Sequence, residues 1–181
     1  CPAATELETV VIDWLRQWVG LPDEFEGVIY DTASVGIMHA LAVAREEAAP
    51  ETRKFGLTDR NLPGLRIYTS DQAHSSAEKA AIALGLGEGN VIRIPSDDHF
   101  RIDVNLLGQK IAEDRQGGLR PMAIIATVGT TSTASIDPVG DIGNLGSPAP
   151  VLARSPLHAV WFHEIYGLVP REAGAEAPVV S

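Results

Sequence analysis

Arg66-Ile67-Tyr68-Thr69, then Ser70-Asp71-Gln72-Ala73-His74-Ser75-Ser76-Ala77-Glu78-Lys79-Ala80, then Val91-Ile92-Arg93-Ile94 carries the pattern on which the fold class rests. A short apolar run, a polar turn, a helix-length segment and a second apolar run read as strand, helix, strand. The helix is predicted from Ser75 to Leu84, with Ser75 and Glu78 at capping-box spacing. Upstream, Val28-Ile29-Tyr30 reads as a strand, Asp31-Thr32-Ala33-Ser34 as its turn, and Val35 to about Ala48 as a helix. Downstream, Asp103 caps a helix from about Val104 to Asp114, and Ala123-Ile124-Ile125-Ala126-Thr127-Val128 is a buried strand. Pro50 to Pro63 is a surface connection, broken by proline and glycine. This alternation predicts an α/β domain: a mostly parallel sheet with helices on both faces.

The two ends read differently from this middle. Thr5-Glu6-Leu7-Glu8 has the form of a capping box opening a helix. Leu7, Val10, Val11, Trp14, Leu15, Trp18 and Val19 recur at helical spacing, a stripe expected to be core. From Gly143 to Pro156 the chain is rich in Gly, Pro, Ser and Ala without a period, and Arg171 to Ser181 is similar. Only Ala159-Val160-Trp161-Phe162 resembles another strand there. Residues 1–142 are therefore expected to form the ordered body, and residues 143–181 a divergent or damaged continuation that packs poorly.

Composition limits the partners. The 181 residues are 45% hydrophobic and 21% charged, ordinary for a globular domain. A formal charge of −10, with no basic cluster, excludes nucleic-acid binding by bulk electrostatics. The single cysteine, Cys1, gives neither an internal disulfide nor zinc-ligand spacing, so no metal is expected and a cytoplasmic setting is the default. No apolar run approaches the roughly 20 residues that cross a bilayer.

In open α/β sheets, ligands bind beyond the carboxyl ends of strands, where the next helix offers free N–H groups. Three polar strand ends are candidates. Thr32-Ala33-Ser34 sets two hydroxyls around a small residue, a pattern that would suit a phosphate but by itself reads first as an ordinary helix cap. Ser70 to Ala80 is a dense polar run that contains His74. Ala126-Thr127-Val128-Gly129-Thr130-Thr131-Ser132 ends a strand in four hydroxyls and a glycine.

Cys1-Pro2-Ala3-Ala4-Thr5-Glu6-Leu7-Glu8, Asp13-Trp14-Leu15, Thr32-Ala33-Ser34, Ser70 to Ser76 and Ala126 to Thr131 together resemble, in order and spacing, the motifs of the group II pyridoxal-phosphate-dependent amino-acid decarboxylases, of the aromatic-L-amino-acid decarboxylase type. The match runs from about Cys1 to Ile142. The resemblance implies part of the large domain of the fold-type I PLP-dependent transferase fold, with pyridoxal 5'-phosphate as cofactor. It implies that Thr32, Ala33 and Ser34 hold the cofactor phosphate, that His74 stacks on the pyridine ring in a catalytic role, and that Thr131 lies against the cofactor. It also implies an L-amino-acid substrate, aromatic by preference, and a homodimer for the full-length enzyme.

The pattern also departs from the family. Asp31 stands where many relatives have glycine. Trp161-Phe162-His163-Glu164-Ile165 aligns with the family run whose aspartate pairs with the pyridinium nitrogen, but that aspartate position falls on Ile165. Glu164 is one place early, on the opposite face of a strand. The family's chemistry needs a lysine that follows a histidine, and Lys54, Lys79 and Lys110 are the only lysines. The 181 residues alone are therefore expected to be inactive. Alternative readings are an aromatic aldehyde synthase or glutamate-type decarboxylase, a cysteine desulfurase or aminotransferase, and a catalytically dead remnant or interaction module.

Overall fold

A computed structural model describes residues 1–18, 25–58, 62–146, 158–163 and 166–170. Among these residues the helices and strands follow in the order α1 Pro2–Trp18, β1 Phe25–Val28, α2 Ala33–Ala48, α3 Thr52–Phe55, β2 Leu65–Ser70, α4 Ser76–Ala83, β3 Val91–Ile94, α5 Val104–Gln116, β4 Arg120–Thr127, α6 Val139–Gly146, β5 His158–His163 and β6 Tyr166–Pro170. The sheet order is β1-β6-β5-β4-β2-β3. Strands β5, β4, β2 and β3 are mutually parallel, while β6 is antiparallel to both β5 and β1. Two reversals cancel, so β1 runs in the same direction as β4 and β2.

Alternating residues of the central strands feed two cores. Leu65, Ile67, Ala123 and Ile125 pack with Ile37, Leu41 and Ala44 of α2 and Ala77, Ala80 and Ala81 of α4. Tyr68, Ile124 and Ala126 face the other way, onto Leu107 and Ile111 of α5 and Ile142 of α6. The doubly covered, mostly parallel sheet expected from the sequence is thus present. On the second face the buried Tyr68 hydroxyl donates to Asp114 Oδ2 at 2.9 Å, and Lys110 Nζ pairs with Asp114 Oδ1 at 3.0 Å. Burial first, and then this bond to a carboxylate, push the Tyr68 phenol far above its usual range.

Several sequence expectations need correction. The stripe of α1 is not core: none of that helix is buried, and Leu7, Val10, Trp14 and Trp18 are exposed. Periodicity identifies an apolar face but not what covers it. Thr5 does not cap α1, which already starts at Pro2; its hydroxyl donates to Cys1 O. Glu8, the other half of that box, accepts instead from Ile29 N at 2.9 Å. That bond takes the N–H of Ile29, and β1 ends at Val28, two residues before the expected Tyr30. The Ser75/Glu78 box is also absent, because Ser75 makes no side-chain cap and Glu78 pairs with Arg93 at 2.6 Å. Beyond the central strands, α6 crosses the boundary expected at Ile142 and Gly143, and β6 is a strand that the sequence reading missed.

Trp14 is 53% exposed. Trp14→Ala is expected to cost at most about 1 kcal/mol in urea unfolding, where a buried tryptophan would cost about 3–5 kcal/mol. A loss in the higher range would restore α1 to the core.

Candidate functional site at the carboxyl edge of the sheet

Because β1, β4 and β2 run the same way, the segments that leave their carboxyl ends emerge on one edge of the sheet. Thr32 to Ser34 follow β1, His74 follows β2, and Thr131 follows β4. β2 and β4 are direct neighbours, with Thr69 opposite Ile125. The structure therefore carries all five residues singled out from sequence to the same edge, and each of them is exposed.

At the first position Thr32 is the N-cap of α2, in extended geometry, and its Oγ1 accepts from Val35 N at 3.3 Å. Val35 N and Gly36 N also return to Thr32 O. The N–H groups of Ala33 and Ser34, in the first turn, have no intrahelical acceptor and sit at the positive end of a 16-residue helix. Capping and anion binding are compatible here, since Thr32 serves the helix while the next two N–H groups stay free of it.

His74 is fixed locally. Its Nδ1 accepts from Ser76 N at 3.2 Å, doing at the start of α4 what the Ser75 hydroxyl was expected to do. An accepting Nδ1 assigns the proton of the neutral ring to Nε2. The preceding turn is held by Ser70 Oγ, which accepts from Gln72 N at 3.1 Å, and by Ser70 O, which accepts from Ala73 N. Partial burial pushes the Asp71 carboxyl up, but hydrogen bonds from Gln72, Ser96 and Ser70 outweigh it and hold the group below its usual range.

The third segment is a closed loop. Val128 bridges Ile136, and Asp137 N donates to Thr127 O. Inside it Thr130 is buried, and its Oγ1 lies 2.6 Å from Thr133 Oγ1 and 3.0 Å from Ser135 Oγ. Gly129, at φ +88, makes the turn into this cluster, a conformation that side chains rarely adopt. The two adjacent threonines thus differ: Thr130 organises the loop, and Thr131 is presented at its tip.

Asp137, missed from the sequence, closes the loop. It is 1% exposed, and its two oxygens accept from Ile102 N and Thr127 N, both at 2.8 Å. Burial raises its pKa above the usual value despite these two bonds, and the charge of Asp97 adds to the rise. A carboxylate ten residues beyond the end of a buried strand, between Ile136 and Pro138, was the available signal. It reads from sequence as an ordinary turn residue.

The lysines lie elsewhere. Lys54 is in α3, Lys79 is on the exposed side of α4, and Lys110 is paired with Asp114 and Glu113 in α5. Glu164 and Ile165 lie outside the described residues. Among the described residues, no group of acidic, histidine or cysteine side chains could hold a metal ion, and no helix is long and apolar enough to cross a membrane.

Comparison with known proteins gives one consistent answer. Residues 1–164 match the family described as the pyridoxal-dependent decarboxylase conserved domain. The chain is 38% identical over 143 residues to the aromatic-L-amino-acid decarboxylase of Bos taurus, covering 71% of this chain and 28% of that protein. Among solved structures it resembles mouse CSAD, with a TM-score of 0.79, 30% identity, and coverage of 88% of this chain and 32% of that one. It also resembles Catharanthus roseus tryptophan decarboxylase in complex with L-tryptophan, with a TM-score of 0.75, 31% identity, and coverage of 88% and 33%. The chain spans about a quarter of the length of the curated relatives it matches, between 24% and 28% for aromatic-L-amino-acid decarboxylases.

Proposed function

The chain belongs to the pyridoxal-dependent decarboxylase family, and from that premise we propose that it supplies the cofactor platform of an L-amino-acid decarboxylase acting on aromatic substrates. The observation that carries the proposal is the convergence of three polar strand ends on one edge of the sheet. The residues present fit pyridoxal phosphate. Two N–H groups without an intrahelical acceptor and the Ser34 hydroxyl at the start of α2 suit a phosphate dianion. A histidine ring with Nδ1 already committed offers a fixed plane for stacking, and the exposed Thr131 hydroxyl offers a polar contact beside it.

When bound, the cofactor supplies an electron sink for the pair left behind as the carboxylate departs as CO₂. The work of this chain's own residues is binding and orientation. Thr32 keeps the first turn of α2 open for the phosphate, Ala33 and Ser34 donate to it, and His74 covers the ring. Within the divergent residues 143–181, β5 and β6 continue the sheet, without an assigned part in the site. For the full-length enzyme we propose a cytoplasmic homodimer, to which the apolar face of Leu7, Val10, Trp14 and Trp18 contributes surface.

Equilibrium dialysis against pyridoxal phosphate and against pyridoxal tests the platform. Retention that depends on the phosphate is expected, and equal retention of both, or of neither, would contradict it. The same samples check the lysine argument: borohydride should label no single lysine, and L-DOPA or L-tryptophan should yield no amine above a buffer blank. Stoichiometric labelling of Lys79 or Lys110 would overturn that expectation.

A further inference from the structure

We propose that Arg93 is the positioning residue for His74, holding the turn and the helix start between which the imidazole is oriented. Arg93 stands on edge strand β3, its Cα paired with that of Thr69 on β2. Its Nη1 donates to Asp71 O at 3.0 Å and to Ala73 O at 3.2 Å, two carbonyls in the turn directly before His74. Its Nε and Nη2 donate to Glu78 Oε1 at 2.7 and 2.6 Å, on the first turn of α4 directly after His74. One side chain therefore grips both sides of the segment that carries the histidine.

The geometry needs a guanidinium. Bridging two carbonyls and a carboxylate at once takes the planar fork of arginine, and a lysine ammonium is a point charge on a flexible stem. The 3.2 Å bond from Ser76 N to His74 Nδ1 exists only if the turn and α4 keep their relative placement, because its donor belongs to the helix and its acceptor to the turn. The other bonds of the turn, to Ser70, Ile94 and Ser96, tie it to β2, to β3 and to the segment after β3, but not to α4. With Arg93 in place Nδ1 stays committed, and Nε2–H is the one donor that His74 presents at the sheet edge. The value of this for the reaction rests on the reading that His74 covers the cofactor ring.

Nitrogen-detected NMR of the histidine-labelled 181-residue chain tests the proposal, together with amide exchange. In the wild-type chain His74 should show the Nε2-protonated tautomer. In Arg93→Ala its ring nitrogens should move toward the averaged values of free imidazole, and the Ser76 amide should exchange about tenfold faster. Amides of Ile67 and Ala81 in the core should keep their wild-type rates. Arg93→Lys, which keeps the charge opposite Glu78, should behave like Arg93→Ala, and it decides the matter if the alanine variant does not fold. An unchanged His74 signature in the variants, a full rescue by lysine, or equal acceleration of the core amides would each overturn the proposal. Added pyridoxal phosphate separates it from the functional reading. If the His74 signals respond to Arg93 but not to the cofactor, the functional reading fails and the positioning role stands. If they respond to the cofactor but not to Arg93, the reverse holds.

Discussion

Asp137→Ala is expected to lower the unfolding free energy by about 3–5 kcal/mol, the largest single loss among the residues described, because it orphans two backbone donors at once. Ile102 N and Thr127 N both end on this carboxylate at 2.8 Å, and Ile102 is itself 1% exposed, so water has poor access to replace it. The loss should appear as a shifted midpoint in urea. pH gives an independent signature. Burial sets the folded pKa of Asp137 above the model-compound value of 3.8, so the folded state holds the proton more tightly than the unfolded one. This contribution is complete below the unfolded pKa and is lost as pH rises through the raised folded pKa. The difference between wild type and variant should therefore shrink as pH climbs through that window. A loss below about 1 kcal/mol, or a difference that grows with pH there, would show that the two N–H groups find other partners.

Ser34→Asp should separate binding from folding with opposite signs. Ser34 lies in the first turn of α2, where a carboxylate interacts favourably with the helix dipole, so stability should hold or rise by about 0.3–1 kcal/mol. The same carboxylate would face a phosphate dianion in the cradle. Like charges within a few ångströms at a partly screened site should weaken retention of pyridoxal phosphate about a hundredfold. Thermal unfolding and equilibrium dialysis on the same preparation check both halves. Unchanged retention in a stable Ser34→Asp chain would remove the phosphate from the start of α2.

Much of this architecture is legible in the sequence where local signals suffice. β3 falls on Val91 to Ile94 as read, and Asp103 caps α5 by accepting from Asn105 N and Leu106 N. Those features depend on residues a few positions apart. The failures are tertiary. Glu8 has the spacing of a capping residue, but it is drawn 21 residues along the chain to Ile29, and no local pattern carries that preference. The α1 stripe has a correct period, yet periodicity cannot name a partner. β6 contains Gly167 and ends at Pro170, both ordinary strand breakers, and it forms because β5 and β1 offer edges on both sides.

The candidate site divides along the same line. The residues proposed to present chemistry, Thr32, Ala33, Ser34, His74 and Thr131, stand at strand ends, where position marked the segments as candidates and the family resemblance supplied the roles. The residues that hold them could not. Asp137 looks like a turn aspartate before proline, and Arg93 looks like an edge-strand charge. Each acts across the fold, to Ile102 in one case and to Asp71, Ala73 and Glu78 in the other. Linear spacing does not report such pairings.

We propose that the three strand ends form one pyridoxal phosphate site. Titrating the labelled chain with pyridoxal phosphate while following its amide resonances by NMR tests it most directly. Ser34, His74 and Thr131 are expected to shift together along one binding curve, while Lys110 and the core of β2 stay unmoved. Saturable binding that shifts only one of these three segments, or residues at the opposite edge of the sheet, would contradict it.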